Sequence, residues 1–466
     1  MSNTEKVLAR ADIIMPAAEA RWIEWLRIPS ISAQPQHAGD CRLAAQFVVD
    51  ELAAMGFEAS LRETAGHPAV VAHHPGPGVA PGGAKGPHLL YYGHYDVQPA
   101  DPLELWNTPP FEPTRVAGPH GDRIYARGAV DDKGQVAMWL GAFRAWFEAT
   151  GSMPCRITAL IEGEEETGSA NFKPFVKATK EELRADICIV SDTGMWDIDT
   201  PAIGTSLRGM AYMEVTLKGP SRDLHSGMYG GSALNPINAL VTALGRLKDG
   251  DGRVAVPGFY DGVRDISSSK ANQWAALGFS EAEFLGSIGL SEPYGEAGRS
   301  ALERLWARPT CDICGIWGGY QGAGTKTVIA SEASAKVSFR LVPGQDPAAV
   351  EAGFQAFMAA NVPDDATLEF STFGLSSGLE MAMDSPFMKA ALAALGDEYG
   401  KPAVLAGVGG SIPVVETIMT ELGMDCILMG FGLEDDQVHS PNEKFEVTCF
   451  QKGLRSHVRL LGKMGG

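Results

Sequence analysis

Two patterns of apolar residues take turns along the first two hundred residues: short continuous runs and helical spacing. Short apolar runs at 88–92, 124–126, 155–161 and 185–190 have the length and composition of strands. Between them, apolar residues recur every three or four positions at 133–150 and near 169–180, which predicts helices. Strands that alternate with crossover helices predict an α/β fold built on a sheet.

The pattern changes after residue 200 and returns near residue 385. We predict an α+β layer with a half-exposed strand at 210–218, further strands at 327–342 and 366–373, and helices at 235–248 and 346–361. The stretch at about 249–324 is rich in glycine, serine and aromatic residues, so we expect an irregular insertion there. The prediction is therefore a mixed-sheet α/β domain in two parts, 1–204 and 385–466, interrupted by an α+β domain at 205–384.

Composition narrows the class of protein. The chain has 466 residues, of which 45% are hydrophobic and 20% charged, as in globular proteins. Its net charge of −19 repels phosphate groups and argues against nucleic acid or anionic membrane as the main partner. Because the chain shows neither a secretory signal pattern nor an apolar run of about eighteen residues, we expect a cytoplasmic protein. The seven scattered cysteines are expected to be free thiols.

Imidazoles and carboxylates follow the ends of several predicted strands. In open α/β sheets, ligands bind beyond the carboxyl ends of the strands, so these side chains are expected to converge. Zinc and related cations accept both kinds of donor, and five donors with one shared carboxylate would suit two ions about 3.5–4 Å apart. The candidates are His94, Asp131, the run 164–166, Asp192 and His439.

Five segments together resemble the successive signatures of the M20 metallopeptidases, on the branch that contains carnosinase-like and cytosolic nonspecific dipeptidases. They are GHYDVQP at 93–99, RGAVDDKG at 127–134, EGEEETGS at 162–169, SD at 191–192 and HSPNE at 439–443. Their order and spacing match across nearly the whole chain. The resemblance implies a zinc-peptidase-like catalytic domain that holds two divalent ions per subunit, with zinc expected and manganese or cobalt as alternatives. It also implies that the α+β domain is a lid that forms a homodimer.

The resemblance implies a role for each metal-ligating residue. Asp131 would bridge the two ions. His94 and Asp192 would complete one site, and Glu166 and His439 the other.

Two further residues of these segments would support the chemistry. Glu165 would be the general base, and Asp96 would orient the imidazole of His94. The peptide bond between Asp131 and Asp132 is cis in family members, and the resemblance implies the same here.

The resemblance also assigns residues to the lid domain. His225, in the segment 223–231, corresponds to a histidine that reaches the partner subunit's active site and stabilises the oxyanion. Arg340 corresponds to an arginine that binds the substrate's carboxylate, a bidentate contact that lysine cannot reproduce. Thr327, Gly410 and Ser411 match positions that help to bind the same end.

The expected activity is hydrolysis of dipeptides or short peptides that have a free C-terminal carboxylate. An N-acyl-amino-acid amidohydrolase remains an alternative, because Arg340 would fix only the carboxylate end of the substrate. A catalytically silent metal-binding scaffold is a more distant alternative.

Overall fold

The computed structural model describes residues 2–78, 86–410 and 412–465. The chain forms two compact units. The first comprises Met1–Thr205, Met381–Ala406 and Ile412–Gly466, and the second comprises Ser206–Glu380 and Gly407–Ser411. Among the described residues, no helix combines the length and apolar character needed to cross a membrane.

Eight helices described in the structure accompany the sheet of the first unit. They are α1 (Asn3–Leu26), α2 (Ala38–Ala53), α3 (Lys133–Thr150), α4 (Phe172–Ala178), α5 (Lys180–Leu183), α12 (Pro386–Tyr399), α13 (Pro413–Thr417) and α14 (Val447–Gly465). Helix α1 has no counterpart among the predicted elements. It begins with a capping box between Ser2 and Glu5, and buries one face that includes Val7, Ala11 and Ile14.

The sheet of the first unit is mixed. Its strands are β1 (Glu58–Arg62), β2 (Ala69–His74), β3 (His88–His94), β6 (Arg156–Glu162), β7 (Ile187–Val190), β8 (Ala202–Leu207), β16 (Val404–Val408) and β17 (Cys426–Leu428). The order is β1-β2-β6-β3-β7-β17-β8, and β16 also pairs with β8. Strands β6, β3, β7 and β17 are parallel neighbours, and the others pair antiparallel along this order. The predicted α/β class with a mixed sheet is confirmed.

A smaller antiparallel sheet brings together two distant segments of the first unit. It has the order β18-β5-β4, formed by β4 (Thr114–Gly118), β5 (Gly121–Tyr125) and β18 (Lys444–Glu446). Lys444 pairs with Tyr125, and Glu446 pairs with Arg123. The segment that precedes β18 therefore lies beside the segment that follows β5.

A four-stranded antiparallel sheet forms the centre of the second unit. Residues of its strand Gly209–Lys218 alternate strictly between buried and half-buried, because one face of the sheet packs against the helices Pro236–Leu244 and Pro347–Asn361. The strands of this sheet are β9 (Gly209–Lys218), β11 (Thr310–Gly318), β13 (Glu332–Leu341) and β14 (Thr367–Ser376), in the order β11-β13-β9-β14. The short strands β10 (Leu224–His225) and β12 (Val328–Ile329) pair with each other, and β15 (Leu379–Glu380) pairs with β8. The helices are α6 (Ser226–Tyr229), α7 (Pro236–Leu244), α8 (Ser268–Ala275), α9 (Glu281–Ser287), α10 (Ala301–Trp306) and α11 (Pro347–Asn361).

The expectation of irregular structure at 249–324 needs correction. This segment contains helices α8, α9 and α10, and each begins at a serine whose side chain accepts a hydrogen bond from the first turn. It also contains β11, an edge strand of the sheet. The pairing of β11 shifts between Ile313 and Gly315, and this irregularity removes the simple alternation by which a strand is recognised.

Candidate metal centre

Three of the five predicted metal-ligating residues lie at or just beyond the carboxyl ends of parallel strands in the first unit, and the other two lie in longer connections. His94 is the last residue of β3, and Asp192 lies two residues beyond the end of β7. Glu166 lies in a single helical turn just after β6. Asp131 precedes α3, and His439 lies in the loop between β17 and β18.

These side chains form two groups that share one carboxylate. In the first group, His94 Nε2 lies 3.2 Å from Asp131 Oδ1, and Asp192 is the third member. In the second, His439 Nε2 lies 3.0 Å from Asp131 Oδ2 and 3.2 Å from Glu166 Oε2. Within each group, the potential ligand atoms lie within 4.8 Å of one another. Asp131 therefore directs one oxygen toward each group.

The chemistry of these donors fits divalent cations. His94 is fully buried, and its Nε2 makes no hydrogen bond within the described part of the chain despite facing Asp131. Burial raises the pKa of Asp192 to about 7, and the nearby carboxylate of Asp131 acts in the same direction. Burial raises the pKa of Glu165 to about 9, reinforced by the carboxylates around it. Cations would relieve this repulsion and accept the unused imidazole lone pair.

Lysine and arginine side chains do not neutralise the described part of the cluster. Within residues 2–78, 86–410 and 412–465, no lysine or arginine forms an ion pair with Asp131, Glu165, Glu166 or Asp192. Hydrogen bonds to Asp131 and Glu166 raise the pKa of His439 to about 10.

Contacts behind the ligands fix their orientation. Asp96, which is fully buried, approaches His94 Nδ1 with its carboxylate at 3.3 Å and its carbonyl oxygen at 3.1 Å. Ser32 donates a hydrogen bond to Asp96 Oδ2 at 2.6 Å, and the backbone N–H of Glu166 donates to the same oxygen at 3.1 Å. Asp96 thus connects ligands of both groups.

Gln98 is a residue whose role the sequence analysis missed. Its side-chain amide donates to Glu166 Oε2 at 2.8 Å and to the Glu166 carbonyl oxygen at 3.2 Å. The signal was its place in the segment 93–99, four residues beyond His94.

The peptide bond between Asp131 and Asp132 is cis, and Asp132 Oδ2 accepts a hydrogen bond from the backbone N–H of His94 at 3.1 Å.

The lid residues predicted from the sequence all belong to the second unit. His225 is exposed at the start of α6, where its Nδ1 accepts a hydrogen bond from the Gly227 N–H at 3.0 Å. Thr327 is exposed beside it, and its carbonyl oxygen accepts from the Ser226 N–H at 3.0 Å. Arg340 lies on β13, in register with Met210 and Thr310 on the neighbouring strands.

The remaining predicted substrate-binding positions lie in the segment 407–411. The Gly410 carbonyl oxygen accepts a hydrogen bond from the Arg208 N–H at 3.2 Å. Arg208 Nε also donates to the Gly409 carbonyl oxygen at 2.8 Å, so one arginine holds two residues of this loop. Ser411 lies outside the described residues.

A comparison with protein families decides the classification. The pattern of Peptidase family M20/M25/M40 matches residues 90–463, which include all the metal-ligating candidates. The chain belongs to this peptidase family. The resemblance to M20 metallopeptidases is confirmed, and the protein is a metal-dependent peptidase.

Individual relatives of this M20 peptidase agree with that classification. The chain is 31% identical over 446 residues to Cys-Gly metallodipeptidase DUG1 of Candida albicans, covering 92% of this chain and 91% of the relative. It is 32% identical over 374 residues to human Beta-Ala-His dipeptidase, covering 79% of this chain and 73% of the relative.

Solved structures extend the comparison to the fold. Human carnosine dipeptidase 1 matches with a TM-score of 0.80 and 28% identity, covering 100% of this chain and 99% of that one. The M20 metallo-carboxypeptidase Sso-CP2 of Sulfolobus solfataricus matches with a TM-score of 0.82 and 29% identity, covering 96% and 99%. The carnosinase-like branch is thus supported by sequence and by fold.

Proposed function

We propose that this peptidase is a di-metal dipeptidase that hydrolyses dipeptides or short peptides with a free C-terminal carboxylate. The observation that carries the proposal is the pair of ligand groups that share Asp131. The dipeptidases among its relatives support the substrate class.

The proposed ligands are those of the two groups: His94 and Asp192 for one ion, Glu166 and His439 for the other, and Asp131 for both. Divalent cations bound there would acidify a water molecule and polarise the scissile carbonyl. Zinc suits this mixture of nitrogen and oxygen donors, and manganese or cobalt are alternatives.

Glu165 is the proposed general base. It lies between the metal-ligating Glu166 and Glu164, and its carboxylate is not engaged by any lysine or arginine of the described chain. It would take a proton from the attacking water and deliver it to the leaving amine. Asp96 would hold the imidazole of His94 in one orientation during these steps.

Residues of the second unit are proposed to bind the substrate. The guanidinium of Arg340 would bind the terminal carboxylate through two hydrogen bonds, with Thr327, Gly410 and Ser411 contributing to the same end. We further propose that this unit, corresponding to the predicted domain at 205–384, is a lid through which two subunits dimerise. His225 of one subunit would then stabilise the oxyanion formed in the other.

Two other activities share the proposed carboxylate contact. An N-acyl-amino-acid amidohydrolase would use Arg340 in the same way. The similarity to the carboxypeptidase Sso-CP2 favours including longer peptides among the substrates to be tested.

A hydrolysis panel tests the proposal. The metal-free protein would be supplied with Zn²⁺, Mn²⁺ or Co²⁺, and offered free dipeptides, C-terminally amidated dipeptides, longer peptides and N-acetyl amino acids. We expect rapid hydrolysis of free dipeptides, slow hydrolysis of the amidated forms, and no turnover with a chelator. Preference for N-acetyl amino acids would support the amidohydrolase, and preference for longer peptides the carboxypeptidase. No hydrolysis of any substrate despite bound metal would leave the silent scaffold.

A further inference from the structure

Glu443 is a fully buried carboxylate outside both ligand groups. Its Oε1 accepts hydrogen bonds from the backbone N–H groups of Val130 at 3.0 Å and Asp131 at 3.2 Å. Its Oε2 accepts from the Gly128 N–H at 2.9 Å and from the Arg127 guanidinium at 2.7 Å. One side chain therefore satisfies four donors within five consecutive residues, and the last of these is the shared ligand Asp131.

The backbone holds Glu443 in register with that segment. Strand β18 begins at the next residue and pairs with β5. The Glu443 carbonyl oxygen accepts a hydrogen bond from the Ala126 N–H at 3.1 Å. Main chain and side chain of Glu443 thus both bind the segment 126–131, which leads from β5 to the ligand Asp131.

Glu443 also ends the loop that carries His439. Three non-glycine residues of this loop have left-handed backbone angles: Gln437 (φ 55°), His439 (φ 63°) and Asn442 (φ 66°). Such angles are unfavourable for most residues other than glycine, and they persist where the surrounding contacts enforce them. Asn442 anchors the loop from one side, because its Oδ1 accepts from the Asn107 N–H at 2.7 Å and its amide donates to the Leu105 carbonyl oxygen at 2.8 Å.

We infer that Glu443 is a positioning residue that couples the two loops carrying Asp131 and His439 and sets the affinity of the site for its cations. The inference rests on the proposed di-metal function. It assigns Glu443 no contact with a cation or a substrate. Because Asp131 belongs to both ligand groups, a displaced Asp131 backbone is expected to weaken the binding of both ions.

Glu446 provides a matched control in the same strand. It too is a buried carboxylate, with 1% of its side chain exposed, and it is paired with an arginine, Arg123, at 2.7 Å. Lys444 lies 3.4 Å from it. Glu446 makes no hydrogen bond to the segment 126–131, so its loss should cost stability without moving the ligands.

The experiment compares Glu443→Gln with Glu446→Gln. Each protein is stripped of metal, and the dissociation constants for Zn²⁺ are measured by competition with a chromophoric chelator, without substrate. Thermal unfolding of the metal-free forms is measured in parallel. The amide of Glu443→Gln keeps the shape of the side chain, but its NH₂ group replaces one of the two accepting oxygens. That NH₂ group would face other hydrogen-bond donors. We expect both Zn²⁺ dissociation constants to rise about 10–100-fold. Glu446→Gln should lose thermal stability and keep both constants within about twofold of wild type.

Kinetics at saturating metal add a second readout. With both sites filled, Glu443→Gln should retain most of its kcat and an unchanged KM, because the side chain touches no substrate. If Glu443→Gln does not fold, Glu443→Asp takes its place, with Glu446→Asp as control. The shorter side chain cannot reach all four donors, and we expect its Zn²⁺ constants to rise at least about threefold.

The possible outcomes separate this inference from the function on which it rests. Wild-type Zn²⁺ constants in a folded Glu443 variant, or equal weakening in the Glu446 control, would overturn the inference while leaving the di-metal proposal standing. Failure of the wild-type protein to bind any of Zn²⁺, Mn²⁺ and Co²⁺ would overturn both.

Discussion

The candidate residues of the two units differ in how they are held. In the first unit, His94, Asp131 and Glu166 are largely buried, and their side chains meet at 3.0–3.2 Å through Asp131 or His439. In the second unit, His225 and Thr327 are exposed. His225 pairs with Val328, and the carbonyl oxygen of Thr327 accepts a hydrogen bond from the Ser226 N–H. The first set is brought together within one unit, whereas the second set is proposed to present functional groups to a substrate or a partner subunit. Substitutions should therefore affect metal binding and chemistry in the first unit, and substrate affinity in the second.

The largest expected effect belongs to Glu165. Glu165→Gln should lower kcat by about 10³-fold, within the range for removal of a general base, while metal content stays at the wild-type value. The neighbouring Glu164 is the matched control, because its two oxygens are taken by the amide of Asn171 at 3.1 and 2.9 Å. Glu164→Gln should keep kcat within about threefold, since that side chain has no proposed part in proton transfer. Turnover by metal-loaded Glu165→Gln within tenfold of wild type would refute the assignment.

Arg340 tests the other side of the comparison. Arg340→Met should raise KM for a free dipeptide by about 100-fold, the loss of a charge-assisted bidentate contact, without changing metal affinity. Lys336→Met is the control, because Lys336 lies on the same face of β13 and contacts the rings of Trp317 and Phe373. Steady-state kinetics should show an unchanged KM for that variant. A loss of bound metal in Arg340→Met would contradict the expectation that substitutions in the second unit change substrate affinity and leave metal binding unchanged.

His225 tests whether the second unit acts across a dimer. Glu165→Gln and His225→Ala should each be nearly inactive alone. When they are mixed and allowed to exchange subunits, about a quarter of wild-type activity should return, because half of the dimers would each contain one intact site. Activity that stays at the sum of the separate variants would show that His225 acts within its own chain or has no catalytic role.

The smallest expected effect on hydrolysis concerns the support behind Asp192. Trp139 donates a hydrogen bond to Ser191 Oγ at 2.7 Å, and its ring stacks on fully buried His457 with centroids 4.1 Å apart. Burial lowers the pKa of His457 to about 3. The folded state therefore resists protonation, and stability that is complete above the ordinary pKa of 6.5 is lost as the pH falls toward 3.

His457→Phe should remove this acid sensitivity. Between about pH 6.5 and about pH 4.5, the wild-type free energy of unfolding should fall by about 2 kcal/mol more than that of the variant. Denaturant unfolding of the metal-free proteins measures this, with His120→Phe, in an exposed turn, as control. Parallel pH curves for wild type and His457→Phe would contradict the prediction. Hydrolysis at neutral pH should be unchanged.

The positions that could be predicted best from the sequence are those of side chains at one edge of the parallel part of the sheet. Residues placed after β3, β6 and β7 meet because parallel strands end together, so the positions of His94, Glu166 and Asp192 followed from strand order. The contacts of Gln98 with Glu166, and of Glu443 with the backbone before Asp131, depend on side-chain rotamers and on pairing between distant segments. No local pattern encodes those contacts. Strand β11 was missed for a related reason. Its register shifts between Ile313 and Gly315, and its assignment as a strand depends on its pairing with the distant strand β13.

Anomalous diffraction from crystals grown with Zn²⁺ tests the central claim most directly. We expect two metal peaks per chain, one contacted by His94 and Asp192, the other by Glu166 and His439, with Asp131 between them. Crystals of the variant Asp131→Asn, grown with Zn²⁺ in the same way, should show both peaks weakened or lost. A single peak in the wild-type protein, or peaks away from these residues, would contradict the account.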